Sequence, residues 1–282
     1  MFHHHVVDGC LTFLNDVGRN RWYRQHLAAL ARDRVVFEIG CGAGILAAYA
    51  LEAGCRHYYG VDIKADRAKF TANILDRLGY QGRHTVWCAD ASVMTEQDLP
   101  KGIDILLCEQ TGHQMQSNFT IRQFWNNLIP MIPAVTSIPD AWHMDAYIYD
   151  GVFDSDLPEY QPKVLLADKE LPAGYLEAVG DTDFVQPRDI VQDAVTVMPG
   201  LVGRDLEFDL DLSGYDSATV VLKDHISFRG DVCPSSSALT DWPIPTRILV
   251  PKARGKFRFR WDTQKRAPKF NRGFWAWEKL SG

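Results

Sequence analysis

Three glycines at alternate positions, Gly40, Gly42 and Gly44 in VVFEIGCGAGIL, follow directly on an apolar run. Glycine at that spacing lets the backbone turn out of a strand and approach a ligand closely before a helix begins. Asp62 closes the next apolar run, 22 residues after Gly40, where a carboxylate can accept both hydroxyls of a ribose. A nicotinamide dinucleotide asks for Gly-x-Gly-x-x-Gly, and position 45 is Ile45. Glu38, two residues ahead of the first glycine, fits poorly beside a pyrophosphate. A cofactor with an adenosine but no phosphate suits the pattern better, which points to S-adenosyl-L-methionine, with Asp90 in WCADAS near an adenine edge. A glycine turn that serves packing alone is the competing account.

Glu109 is the other acid in a telling place. The stretch IDILLCEQTG reads as a buried strand that delivers a carboxylate straight off its end. In an open parallel sheet ligands bind at the carboxyl ends of strands, so an acid there attracts a cationic nitrogen nucleophile or takes its proton. A surface acid or helix cap is the plainer alternative.

The elements that must position these residues are legible. VGRNRWYRQHLAALAR reads as a helix, with Leu27, Leu30 and Ala31 on one face. RVVFEIG, HYYGVDI, HTVWCAD and GIDILLCE read as strands, separated by helical AGILAAYALEAG and ADRAKFTANILDRLGY. Strand and helix alternate to about residue 130, which predicts an α/β unit with a parallel sheet covered on both faces. Beyond IPMIPAVTSIP the pattern changes to proline-rich turns and alternating strands such as AWHMDAYIY, LEFDLDL, ATVVLKDHISF, TRILVP and KFRFRW, which predict an antiparallel barrel or sandwich. Residues 150–195 are acidic and irregular, an insertion or arm in which KVLLADKELPAGYLEAV reads as a short helix.

The chain of 282 residues, 46% hydrophobic and 23% charged with mean hydropathy -0.19, is expected to fold as a soluble globular protein. Its six cysteines are scattered and never form Cys-x-x-Cys, which favours a reducing cytoplasm. No secretory leader or membrane span is expected. His3, His4 and His5 are read as an incidental run, because successive side chains diverge, and no metal is expected. The net charge of -6 divides into +8 for residues 252–282 and -14 before them. That basic, aromatic tail has the composition of a nucleic-acid surface, but KFRFRW also alternates like a half-buried strand with cations on its wet face.

Four segments resemble the protein arginine methyltransferases. FLNDVGRNRWYRQHL is similar to the family's N-terminal helix motif and matches Asp16, Arg19 and Tyr23 to it. VVFEIGCGAGIL with GVDI resembles the cofactor motif, CEQTGHQM the start of the two-glutamate loop, and ALTDWP stands where the family carries Thr-His-Trp. The DVGRN form is closest to the monomethylating branch. The resemblance implies a cofactor-capping helix in residues 1–32, a Rossmann-like methyltransferase domain in 33–140 and a substrate-binding β-barrel domain in 141–282, with a dimerisation arm at 150–195. It implies that Arg19 pairs with the cofactor carboxylate, with Tyr23 beside it, that Asp62 holds the ribose, and that Glu109 holds the substrate guanidinium, with Trp242 at the substrate. A homodimer is also implied.

Two positions depart from the family pattern. The second loop glutamate is Asn118, and the histidine of Thr-His-Trp is Asp241, which would lie near Asp16. An Asp16–Asp241 pair could rebind a guanidinium from another angle or grip the α-ammonium of a free amino acid; Asp241 as a mere turn cap is the alternative. The leading expectation is methylation of an arginine guanidino nitrogen in a protein or peptide, with the acidic surface of residues 150–215 attracting a basic substrate. Free L-arginine or an asparagine side-chain amide is the second acceptor, and a non-catalytic cofactor-binding scaffold the third reading. Nucleic acid is a distant acceptor, since no Asn-Pro-Pro-Tyr-type motif follows the fourth strand.

Overall fold

The computed structural model describes residues 17–108, 128, 130–132, 135–150, 196–197, 201–202, 207–233, 246–262 and 274–280. The first unit begins with helix α1 (Val17–Leu30) and continues as β1 (Val35–Ile39), α2 (Ile45–Glu52), β2 (His57–Asp62), α3 (Ala65–Arg77), β3 (His84–Cys88), β4 (Ile105–Cys108) and β5 (Thr136–Ile138). The five strands pair in parallel in the order β3-β2-β1-β4-β5. The order reverses between β1 and β4, so the crevice outside the carboxyl ends of those two strands is the natural ligand site.

Both faces of the sheet are covered, as the near-continuous apolar strands require. Val36, Ile105 and Leu107 face one core with α1, α2 and α3, while Phe37, Ile39, Leu106 and Cys108 face the other with Met94, Leu128 and Ile132. Helix α2 is buried from Ile45 to Leu51. A helix apolar all round must be enclosed, and α1 closes its outer side through Trp22, Tyr23, Leu27 and Ala31. The expected face of α1 was Leu27, Leu30 and Ala31; of these Leu30 is only partly buried, and Trp22 and Tyr23 carry the packing. The fifth strand went unread in the proline-rich stretch. Three residues are too few to show a period, and only pairing with β4 makes them a strand.

The second unit is antiparallel. β6 (Ala141–Asp150) and β10 (Ser217–Phe228) pair from Asp150↔Ala218 to Ala141↔Ser227. β12 (Thr246–Pro251) and β11 (Asp231–Val232) add to β10, while β7 (Thr196–Val197) and β8 (Leu201–Val202) add to β6. β9 (Glu207–Asp211), β13 (Lys256–Asp262) and β14 (Phe274–Lys279) form a second sheet. The two sheets share a core of Ile148, Phe208, Leu210, Val220, Ile248, Val250, Phe257 and Phe259. This is a parallel-sheet domain followed by an antiparallel barrel-type domain.

KFRFRW is a half-buried strand. Phe257 and Phe259 are enclosed, while Arg258 makes a two-point bond to Asp209 at 2.8 and 2.9 Å and Arg260 meets Glu207 at 2.7 Å and Glu278 at 3.2 Å. These cations are matched across the sheet by acids of β9 and β14. No helix among the described residues is long and apolar enough to cross a membrane.

Candidate cofactor site

The three glycines form the turn between β1 and α2. All have positive φ, at 73°, 50° and 75° for Gly40, Gly42 and Gly44, a region that L side chains enter at a cost of about 1–2 kcal/mol. Gly40 and Cys41 donate backbone N–H groups to the Val61 carbonyl at 2.8 and 3.0 Å, which fastens the turn to the end of β2. Thr71 of α3, fully buried, donates its hydroxyl to the Gly42 carbonyl at 2.9 Å. A Cβ on Gly44 would sit 3.0 Å from the Thr71 methyl. The turn is thus held from two sides and has no room for side chains where α3 passes.

Asp62 ends β2 beside this turn and is almost entirely buried. One carboxylate oxygen accepts the Gly42 N–H at 3.1 Å and the other accepts the Lys64 N–H at 2.9 Å. Each oxygen has a second lone pair, so a carboxylate fixed in this way can still receive two hydroxyls. Asp90 follows β3 and caps a short 3₁₀ turn, where one of its oxygens accepts both the Ser92 N–H and the Ser92 hydroxyl. Between them the Ala89 N–H reaches the Asp62 carbonyl at 3.1 Å. Ile63 and Val93, next to these two acids, are 65% and 73% exposed. Two bare aliphatic side chains at the carboxyl edge of the sheet suit the faces of a heterocyclic base.

Arg19 comes from α1 and is 3% exposed. Its Nη1 donates to Asn20 Oδ1 at 2.8 Å, and its guanidinium lies 5.3 Å from the Tyr23 ring centroid. It acts electrostatically on Glu38 of β1 and on the Tyr23 hydroxyl. The Tyr23 hydroxyl is buried and has no hydrogen-bond partner among the described residues. Burial raises its pKa well above the ordinary value, so it remains a neutral donor.

Helix α1 is clamped to both domains. Arg24 forks onto Glu52 of α2 at 3.0 and 2.7 Å, and His26 Nε2 lies 3.0 Å from Asp231 Oδ2 at the β10–β11 turn, with its ring 5.0 Å from Phe228. The Arg229 N–H in turn donates to Asp140 at 2.9 Å, just before β6. Arg19 therefore sits on a helix whose position is fixed by both domains.

The structure brings Arg19, Tyr23, Gly40, Gly42, Gly44 and Asp62 together, with Asp90 on the same edge one strand further out. Glu109 follows directly on Cys108, the last residue of β4, but it lies outside the described residues, as do Asp16, Asn118, Asp241, Trp242, the histidine run and the candidate arm at 150–195. Sequence reasoning overlooked Glu38 as a site residue, and with it Tyr58, Gly60 and Thr71. Glu38 is 3% exposed and accepts the Tyr58 hydroxyl at 2.5 Å. Burial first, against the Tyr58 bond and Arg19, pushes its carboxyl up to about 8. The available signal was Gly60, an isolated glycine inside a strand, which often marks a close approach.

No protein-family model matches the chain. In sequence it is similar to Protein arginine N-methyltransferase 1 of Chlamydomonas reinhardtii, 26% identical over 196 residues, which are 66% of this chain and 54% of that protein. It is also similar to Protein arginine N-methyltransferase 1 of Schizosaccharomyces pombe, 34% identical over 91 residues, 30% of this chain and 24% of that protein. The match thus spans about half of the first relative's length and less of the second's. Among solved structures, the Trypanosoma brucei PRMT1 enzyme-prozyme heterotetrameric complex with AdoHcy superposes with a TM-score of 0.56 at 19% identity, over 100% of this chain and 99% of that one. A PRMT6-SAH structure gives a TM-score of 0.57 at 14% identity, over 95% and 98%. The resemblance to the protein arginine methyltransferases is therefore present in the motifs, in the aligned sequence and in the two-domain fold.

Proposed function

We propose that the chain is an S-adenosyl-L-methionine-dependent N-methyltransferase that methylates a guanidino nitrogen of arginine in a protein or peptide. The observation that carries the reading is the assembly of a buried arginine, a glycine turn and a backbone-anchored aspartate at the switch point of the parallel sheet. In this reading Arg19 pairs with the cofactor carboxylate, a charge-assisted contact suited to guanidinium. Asp62 holds the ribose hydroxyls, and Ile63 and Val93 flank the adenine with Asp90 at its edge. When bound, the sulfonium supplies an already activated methyl group. The chain's own residues would then have mainly to orient the acceptor nitrogen toward that methyl group. Free guanidinium is protonated at neutral pH, so Glu109, which follows β4 in the sequence, would hold the cation, concentrate electron density on the attacking nitrogen and receive the proton that this nitrogen gives up.

Chain association as a homodimer through residues 150–195 and a cytoplasmic location belong to the same reading. The similarity to protein arginine methyltransferases supports the peptide acceptor; free L-arginine or a side-chain amide remains the second acceptor because of Asn118 and Asp241. A non-catalytic reading is favoured by Asn118, which removes one arm of the glutamate clamp, and by the enzyme-prozyme composition of one fold relative. The test is transfer of labelled methyl groups from S-adenosylmethionine to arginine-rich peptide, free arginine and asparagine peptide. Cofactor binding without transfer to any of them would favour the scaffold.

A further inference from the structure

Helix α1 carries Arg19 but rests in part on the second domain. Strands β10 and β11 are joined through Arg229 and Gly230, whose φ values of 52° and 79° close a two-residue turn, so Phe228 and Asp231 stand directly opposite one another. Side chains of opposed residues share one face of a hairpin. His26 meets both: its ring packs edge-on to Phe228 at 5.0 Å, and its Nε2 lies 3.0 Å from Asp231 Oδ2. The turn is itself tied down, because the Arg229 N–H donates to the Asp140 carboxylate at 2.9 Å and the Asp140 N–H donates to the Ser227 carbonyl at 3.0 Å. Phe228, with Ile226 of β10 and Cys233 just past β11, is buried in the same core as Trp22, Tyr23 and Leu27 of α1.

Arg19, Trp22, Tyr23 and His26 follow the i, i+3, i+4, i+7 spacing and so occupy one face of α1. Along that face each group touches the next. The Arg19 guanidinium lies 5.3 Å from the Tyr23 ring centroid, Tyr23 and Trp22 meet edge-on at 4.9 Å, and Trp22 and His26 do so at 4.6 Å. Both middle members of this row are buried, and close-packed side chains transmit a displacement rather than absorb it. Asp231, by contrast, is 60% exposed and serves the row only at its far end. His26 stands two helical turns, about 10 Å, from Arg19 along the axis, so Asp231 reaches Arg19 through the row and not directly. We propose that Asp231 is a positioning residue for the cofactor: by holding His26 it sets where the aromatic row places Arg19, and the hairpin of the second domain thereby tunes how tightly the first domain holds its ligand. The assignment rests on reading Arg19 as the partner of the cofactor carboxylate.

The experiment is isothermal calorimetry of S-adenosylhomocysteine against the full chain. Asp231→Ala is expected to weaken binding about 3- to 5-fold, the worth of a partly exposed charged pair. His26→Ala also loses its ring contacts and is expected to weaken binding about 10-fold, and adding Asp231→Ala to it should change nothing further. In an Arg19→Met background Asp231→Ala should likewise have no effect, because the group it positions is gone. Asp216→Ala is the control: Asp216 pairs with Arg254 at the other end of β10, within the second domain, and its loss should leave binding unchanged. A merely structural Asp231 would lower the urea midpoint without this dependence on Arg19. Wild-type affinity in Asp231→Ala, or the same loss with Arg19 and without it, overturns the proposal and leaves the cofactor reading standing. Absence of saturable wild-type binding overturns both.

Discussion

Glu38→Gln has a consequence for stability that needs no ligand. In the unfolded chain the carboxyl titrates near 4.5, and in the folded protein burial moves it to about 8. Between these values the folded protein keeps a proton that the unfolded chain has given up, so stability falls as pH rises. The slope is about 1.4 kcal/mol per pH unit, which across the window amounts to about 5 kcal/mol. Below the window both states are protonated, and above it both are ionised, so the contribution is flat on either side. Glutamine has nearly the same shape, and its carbonyl oxygen can accept the Tyr58 hydroxyl, so the fold has no reason to change. Urea unfolding of wild type and Glu38→Gln at pH 5, 6.5 and 8 isolates this one group, because every other titration is common to both. The variant should be close to wild type at pH 5 and more stable by about 3–5 kcal/mol at pH 8. Parallel stability curves would refute the reasoning, since Glu38 would then titrate alike folded and unfolded.

Gly60→Ala should lose about 2–4 kcal/mol in urea unfolding, because the new Cβ collides with Tyr58 and breaks its bond to Glu38. Gly44→Ala combines φ +75 with a 3.0 Å approach to Thr71 and should lose about 2–3 kcal/mol, read as a lower urea midpoint. Arg19→Met should weaken S-adenosylhomocysteine binding by about 10- to 100-fold in calorimetry, the worth of a charge-assisted bond. His26→Ala should loosen the seat of α1 on the β10–β11 turn, seen as faster hydrogen exchange in Val17–Leu30 with the strands of the first sheet unchanged.

The fold was readable because the strands of the first unit are short apolar runs, and β9 and β13 of the second alternate with period two. RVVFEIG and KFRFRW show the two cases: β1 is buried on both faces, and β13 on one. Asp62 was legible because its place follows from the spacing to the glycines. Glu38 was not, since its environment is made by Tyr58 on the neighbouring strand and Arg19 on a helix 19 residues earlier, contacts that no local period encodes. Likewise, the cations of the tail could be counted in the sequence, but Glu207 and Asp209, the partners of Arg258 and Arg260, lie about 50 residues away and meet them only through strand pairing.

The most direct test of the central claim is mass spectrometry of an arginine-containing peptide after incubation with the protein and S-adenosylmethionine, beside the same peptide with lysine in place of arginine. The account predicts a mass gain of one methyl group or more on the arginine nitrogen, none on the lysine peptide, and loss of the product in Glu109→Gln. Saturable binding of S-adenosylhomocysteine with an unmodified arginine peptide would contradict it.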